Sequence, residues 1–124
     1  MIAADTSSIS AYFEGKSDTD VLRIDSALSH GLLRLPPVVL TELLSDPGAA
    51  RALASIITQF KLLEVTEGYW QRAGIIRQRL ISLGLRAKIA DALIAQSCID
   101  HDLPLITRDS DFRHFAKHCG LKLA

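Results

Sequence analysis

Apolar positions along this chain follow two rhythms. Short, mainly apolar runs end in polar or turn residues: Ile2 to Ala4, Leu32 to Leu35, Leu62 to Val65 with Glu64 set in it, and Pro104 to Thr107. Each is too short for a buried helix and suits a strand covered on both faces. Elsewhere apolar residues recur every three or four positions, the spacing of one helix face. Helices are therefore expected over Ser7 to Glu14, from Asp18 or Thr19 to Gly31, over Val38 to Ser45, and over Ala49 to Phe60. Three more are expected from Glu67 to about Leu83, from beyond Lys88 to about Asp102, and from Phe112 to His118. The longest carries its stripe on Tyr69, Ala73, Ile76, Leu80 and Leu83, with Thr66 as its cap; the next carries Ile89, Ala92, Leu93, Gln96 and Ile99.

Gly15, Gly31, Pro36-Pro37, Asp46-Pro47-Gly48 and Gly84 punctuate these segments without separating domains. Leu121 to Leu123 reads as a last edge strand. Strands separated by helices imply right-handed crossovers and a mostly parallel sheet with helices on both faces, a three-layer α/β/α sandwich.

Composition narrows the class. The 124 residues suit one domain spanning 1–124, and 48% hydrophobic with 23% charged residues suits a soluble globular one. Lys plus Arg equals Asp plus Glu at 14 each, so no global field draws this chain to polyanions. Binding to nucleic acid would need a local patch and a metal. Cys98 and Cys119 lie far apart with no CxxC and read as reduced, structural thiols. No basic leader precedes Ile2, and no apolar run approaches the roughly 20 residues of a membrane span. The expected compartment is the cytoplasm.

The chemistry lies in the acids. Asp5 ends the first strand, Glu42 interrupts an otherwise apolar helix, Asp91 lies near the start of another, and Asp109 follows a strand with Asp111 two residues on. Each has a local explanation: Asp5 and Asp109 as helix caps, Glu42 as a solvent-facing acid, Asp91 as a first-turn acid favoured by the helix dipole. In a parallel sheet, however, Asp5 and Asp109 emerge at the same carboxyl edge. The helices that carry Glu42 and Asp91 begin at that edge, and independent caps have no reason to gather there. The convergence favours Asp5 as a metal ligand, with the capping left to its neighbours. Crowded carboxylates repel, and a hard divalent cation is the usual compensation. Such a site suits phosphoryl chemistry.

Four stretches, in order, carry a family resemblance: Asp5-Thr6-Ser7, Thr41-Glu42-Leu43, Asp91-Ala92-Leu93-Ile94-Ala95, and Thr107-Arg108-Asp109-Ser110-Asp111-Phe112. Together they resemble the PIN-domain ribonucleases, and more narrowly the VapC-type toxins of toxin–antitoxin pairs. The resemblance implies a five-stranded parallel sheet, an acidic pocket binding Mg²⁺ or Mn²⁺, and hydrolysis of RNA phosphodiesters. It also implies a homodimer held inactive by a small antitoxin. Carried over by position, Asp5, Glu42, Asp91 and Asp109 form the acidic quartet, with Asp5, Asp91 and Asp109 as metal ligands. Glu42 could ligate or orient a water. Thr6, Ser7 and Thr107 would hold the carboxylates. Asp111 stays open, since either acid of the Asp-x-Asp-Phe turn could face the pocket, with Asp109 preferred as nearer the strand. Arg86, Lys88 and Arg108 are placed to meet phosphates or are ordinary solvated charges.

Other readings fit less well. An aspartate-nucleophile phosphatase wants Asp-x-Asp where Ser7 stands, and a phosphoacceptor receiver wants an Asp and a Lys where Thr66 and Arg108 follow their strands. A PIN-like module that binds RNA or a partner without cutting is the remaining alternative. His114 and His118, with Cys119, resemble half a zinc site but have no second pair of soft ligands. Trp70 is expected in core or dimer packing rather than as a base-stacking platform.

Overall fold

The short apolar runs do form strands, and the central one is the first. In the computed structural model, which describes residues 1–124, Ile2–Ala4 (β1) lies between Leu33–Leu35 (β2) and Leu105–Ile106 (β4). Lys61–Leu62 (β3) lies outside β2, giving the order β3-β2-β1-β4. All three pairings are parallel, with Ala3 opposite Arg34 on one side and Leu105 on the other. Flanked on both sides, β1 is buried through Ala3 and Ala4, as a run without polar alternation requires.

Seven α-helices surround this sheet: Thr6–Phe13 (α1), Thr19–Ser29 (α2), Pro37–Ser45 (α3), Pro47–Ala54 (α4), Tyr69–Ser82 (α5), Ile89–Asp100 (α6) and Phe112–Cys119 (α7). The core joins Ile9, Ile24, Leu35, Val39, Leu43, Leu80, Ile94, Leu105, Phe112 and Phe115 across these layers.

The expected elements differ from the structure at their ends. The fifth strand is reduced to one parallel bridge between Leu123 and Leu105, held by bonds from Leu105 N–H to Lys122 O and Ala124 N–H to Leu105 O. Gly120, in the left-handed region at φ 83°, ends α7 so late that few residues run beside β4. β3 ends at Leu62, with one last bond from Leu63 N–H to Leu35 O at 2.9 Å, and beyond it the Glu64 carbonyl meets His101 Nε2 at 2.8 Å instead of β2. α4 starts earlier than expected, with Pro47 in its first turn and Asp46 accepting from Gly48 N–H. It also ends earlier, before the β-branched run Ile56-Ile57-Thr58, where only a single 3₁₀ turn (Ile57–Gln59) follows.

Thr66 does not cap α5. The N-cap is Gly68 at φ 81°, because the Thr66 hydroxyl is already engaged by Asp100 and Arg72. The expected α5 stripe is buried through Leu80, but Leu83 lies past the helix and is exposed. The α6 stripe holds only in part: Ala92 and Gln96 are buried as expected, but Ile89 is 61% exposed, and Ile94, Ala95, Ser97 and Cys98, outside the stripe, are buried as well. This helix is apolar nearly all round, so spacing alone did not select its inner face. Trp70 is likewise 62% exposed, outside the core.

Candidate metal centre

The edge where the strands end collects the acids. Asp5 follows β1 and is 3% exposed. Its backbone is extended and its Oδ1 accepts from Ser8 N–H at 3.1 Å, so it is the N-cap of α1. The expectation that capping passes to its neighbours is thus corrected. One carboxylate both caps the helix and belongs to the acidic edge, because the cap uses only part of its acceptor capacity. Ser7 Oγ donates to both Asp5 oxygens at 2.8 and 3.0 Å, and Thr107 Oγ1 donates to Oδ2 at 2.6 Å.

Thr107 follows β4, the parallel neighbour of β1, which is why residues 102 apart in sequence meet here. Its hydroxyl also accepts from Asp109 N–H at 3.0 Å, and Asp109 Oδ1 accepts from Asp111 N–H at 2.9 Å. The turn after β4 is therefore folded on its own side chains. It delivers both Asp109 and Asp111 to the first turn of α6, where Asp91 is 9% exposed. Carboxylate oxygens of Asp91, Asp109 and Asp111 all lie within 4.8 Å of one another.

Glu42, half-buried on α3, accepts from Thr6 Oγ1 at 2.6 Å. Thr6 therefore holds Glu42, not Asp5. The electrostatics agree with the distances. Burial first, then the facing charge of Asp109, with smaller contributions from Asp111 and Glu42, pushes the Asp91 carboxyl up to about 6; Lys88 opposes them. Burial raises Asp5 too, with Asp109 adding, against the hydrogen bonds from Thr107, Ser8 and Ser7. Protons here are held because negative charge is crowded and poorly solvated.

An oxygen-only donor set of this kind fits a hard cation such as Mg²⁺ or Mn²⁺. Neither His114, His118 nor Cys119 joins a comparable group. Of the basic candidates, Lys88 precedes α6 near enough to act on Asp91, and Arg86 is exposed in the same link. Arg108 differs from both. Its guanidinium binds Asp20 through Nε and Nη2 at 2.8 Å each, and Asp18 through Nη2 at 3.0 Å. Asp20, which accepts from Ser8 at 2.9 Å, was not singled out from sequence. Asp20 carries no local mark beyond being a first-turn acid of α2.

Solved structures share the fold of this chain. A crystal structure of VapBC2 from Rickettsia felis, bound to a promoter DNA fragment, superposes with a TM-score of 0.78 at 17% identity, covering 100% of this chain and 98% of that one. A crystal structure of DNA-bound VapBC from Salmonella typhimurium gives 0.75 at 20% identity, with 100% and 98% covered. No curated protein matches the sequence. The PIN domain family model matches residues 2–118, a span that holds β1, β4 and every acid of the pocket. This chain belongs to the PIN domain family.

Proposed function

We propose that this chain is a divalent-metal-dependent endoribonuclease and the toxin of a toxin–antitoxin pair, acting in the cytoplasm. The observation that carries the reading is the meeting of Asp91, Asp109 and Asp111 within 4.8 Å beside buried Asp5. Family membership supports it, as does the fold shared with two VapBC assemblies. A small antitoxin partner and a homodimer belong to the same reading. No helix is long and apolar enough to cross a membrane.

In this reading Asp91, Asp109 and Asp111 hold Mg²⁺ or Mn²⁺; Asp111 takes the ligand place expected of Asp5, which adds its charge from the β1 side. When bound, the ion supplies Lewis acidity toward a phosphate oxygen and lowers the pKa of water. The chain's own residues do the rest. Ser7, Ser8 and Thr107 fix the Asp5 carboxylate by its two oxygens. Thr6 holds one Glu42 oxygen, leaving the other to orient a water toward the phosphorus. Lys88 and Arg86 meet phosphates of the RNA on the open side. A phosphatase using Asp5 as nucleophile fits poorly, since both Asp5 oxygens already accept hydrogen bonds and Ser7 cannot act as the second acid.

The test is cleavage of RNA by purified Asp91→Asn, with circular dichroism as the check on folding. Activity should fall by more than the roughly 100-fold typical of losing an outer partner of a metal site. EDTA should silence the wild-type protein. Wild-type rates from a folded Asp91→Asn protein would refute the assignment.

A further inference from the structure

Arg108 sits between two residues of the acidic edge, yet its side chain turns to other acids. Asp20 meets it in a bidentate pair, a geometry that fixes the guanidinium plane as well as its position. Asp18 adds a third contact, and the Arg108 side chain is 30% exposed against 15% for Asp20. Asp20 in turn accepts from Ser8, which is fully buried in the first turn of α1. The Ser8 backbone N–H caps onto Asp5, and the Ser7 hydroxyl that binds Asp5 also accepts from Arg108 N–H at 3.4 Å. Hence the stretch from Thr107 to Asp109 is tied at three points: to Asp5 by Thr107, to α1 by the Arg108 amide, and to α2 by the Arg108 guanidinium.

We infer that Asp20 and Arg108 are positioning residues, a clamp that sets where Asp109 and Asp111 stand relative to Asp91. The turn itself is polar, exposed in part and only five residues long, and its own hydrogen bonds shape it without anchoring it. Thr107 and the Arg108 amide hold its start, and the clamp adds the tie to α2 through Asp20 and, by way of Ser8, to α1. The Nε and Nη2 edge of Arg108 is thus given to protein acids, and holding the turn is the role we assign it in place of a phosphate contact. Only the consequence for metal binding rests on the function proposed above; the placement of the turn does not.

Amide hydrogen exchange by NMR on the metal-free, full-length protein tests the clamp directly. In Arg108→Gln and in Asp20→Asn, the Asp109 and Asp111 amides should exchange about tenfold faster or more. The Asp5 amide, bonded to Ile106 O in the sheet, should keep its wild-type rate and so report an intact fold. The double variant should exchange no faster than Arg108→Gln alone, which already removes the contacts to both Asp20 and Asp18. Arg108→Lys, which keeps the charge without the fork, should recover part of the protection. Mn²⁺ titrated calorimetrically into the same samples should bind about tenfold more weakly in each single variant, and no more weakly in the double than in Arg108→Gln. Wild-type exchange at Asp109 and Asp111 in both single variants would overturn the inference, as would multiplying effects in the double. A wild-type protein that shows the exchange pattern but takes up no Mn²⁺ would support the clamp and count against the metal reading.

Discussion

Asp5 shows how one side chain serves structure and chemistry together. Its carboxylate ends β1, caps α1, and receives the Thr107 hydroxyl from the adjacent strand. Asp91 is the residue whose titration should be visible. Its carboxyl sits at about 6 in the folded chain against an ordinary 3.8. Between those values the folded protein holds a proton that the unfolded chain has lost, so stability declines as pH rises through the window. The metal-free protein should therefore melt higher at about pH 5 than at about pH 7.5, and Asp91→Asn should reduce the difference, leaving what the raised Asp5 carboxyl contributes. A steeper slope in Asp91→Asn would place the burden on another group. Asp20 does not interfere in that window: Arg108 holds its carboxyl down at about 2, so its contribution is lost only as pH falls toward that value.

At the scale of elements, the helices were legible wherever one face is apolar and the other polar. α5 is the example, with Tyr69, Ala73, Ile76 and Leu80 all buried. Its end was not legible, because Leu83 continues the period while the chain has already turned at Gly84, where φ is 74°. Leu80→Ala should lower stability by about 3 kcal/mol, and Leu83→Ala by less than about 0.5 kcal/mol, in urea unfolding. Equal losses would mean that Leu83 is covered in solution. α6 taught the opposite lesson: with apolar residues on nearly every side, its period left the inner face undetermined, and only packing against α5 and α3 chose it. The early end of α4 was written locally, in the β-branched run after Ser55, but a count of apolar positions passes over it.

For the whole molecule, a formal net charge of zero conceals an uneven distribution. Asp5, Glu42, Asp91, Asp109 and Asp111 gather at one sheet edge, and the folded state carries that repulsion. A divalent cation that binds only the folded chain should therefore stabilise it. At about 100 times its dissociation constant, Mn²⁺ should add about 2.7 kcal/mol, read as a higher melting temperature. Asp91→Asn should show little of this gain, and KCl at equal ionic strength should give none. Equal gains with KCl would reduce the effect to simple screening.

What the sequence determined by itself is what short-range physics controls. Brief apolar runs made strands, buried in β1 and β4 but exposed in β3 at the sheet's edge, Gly and Pro broke the helices, and acids fell at the ends of elements that share an edge. Tertiary structure alone decided which atoms meet. Thr107 reaches Asp5 across 102 residues, Thr6 reaches Glu42 across 36, and Arg108 reaches Asp20 across 88. Parallel strands joined by helical crossovers bring such pairs together. A hydrogen bond then requires atoms placed to within a few tenths of an ångström. Local pattern can bring an acid to the edge, but the packing of α1, α2 and α6 against the sheet sets the distances at which it acts.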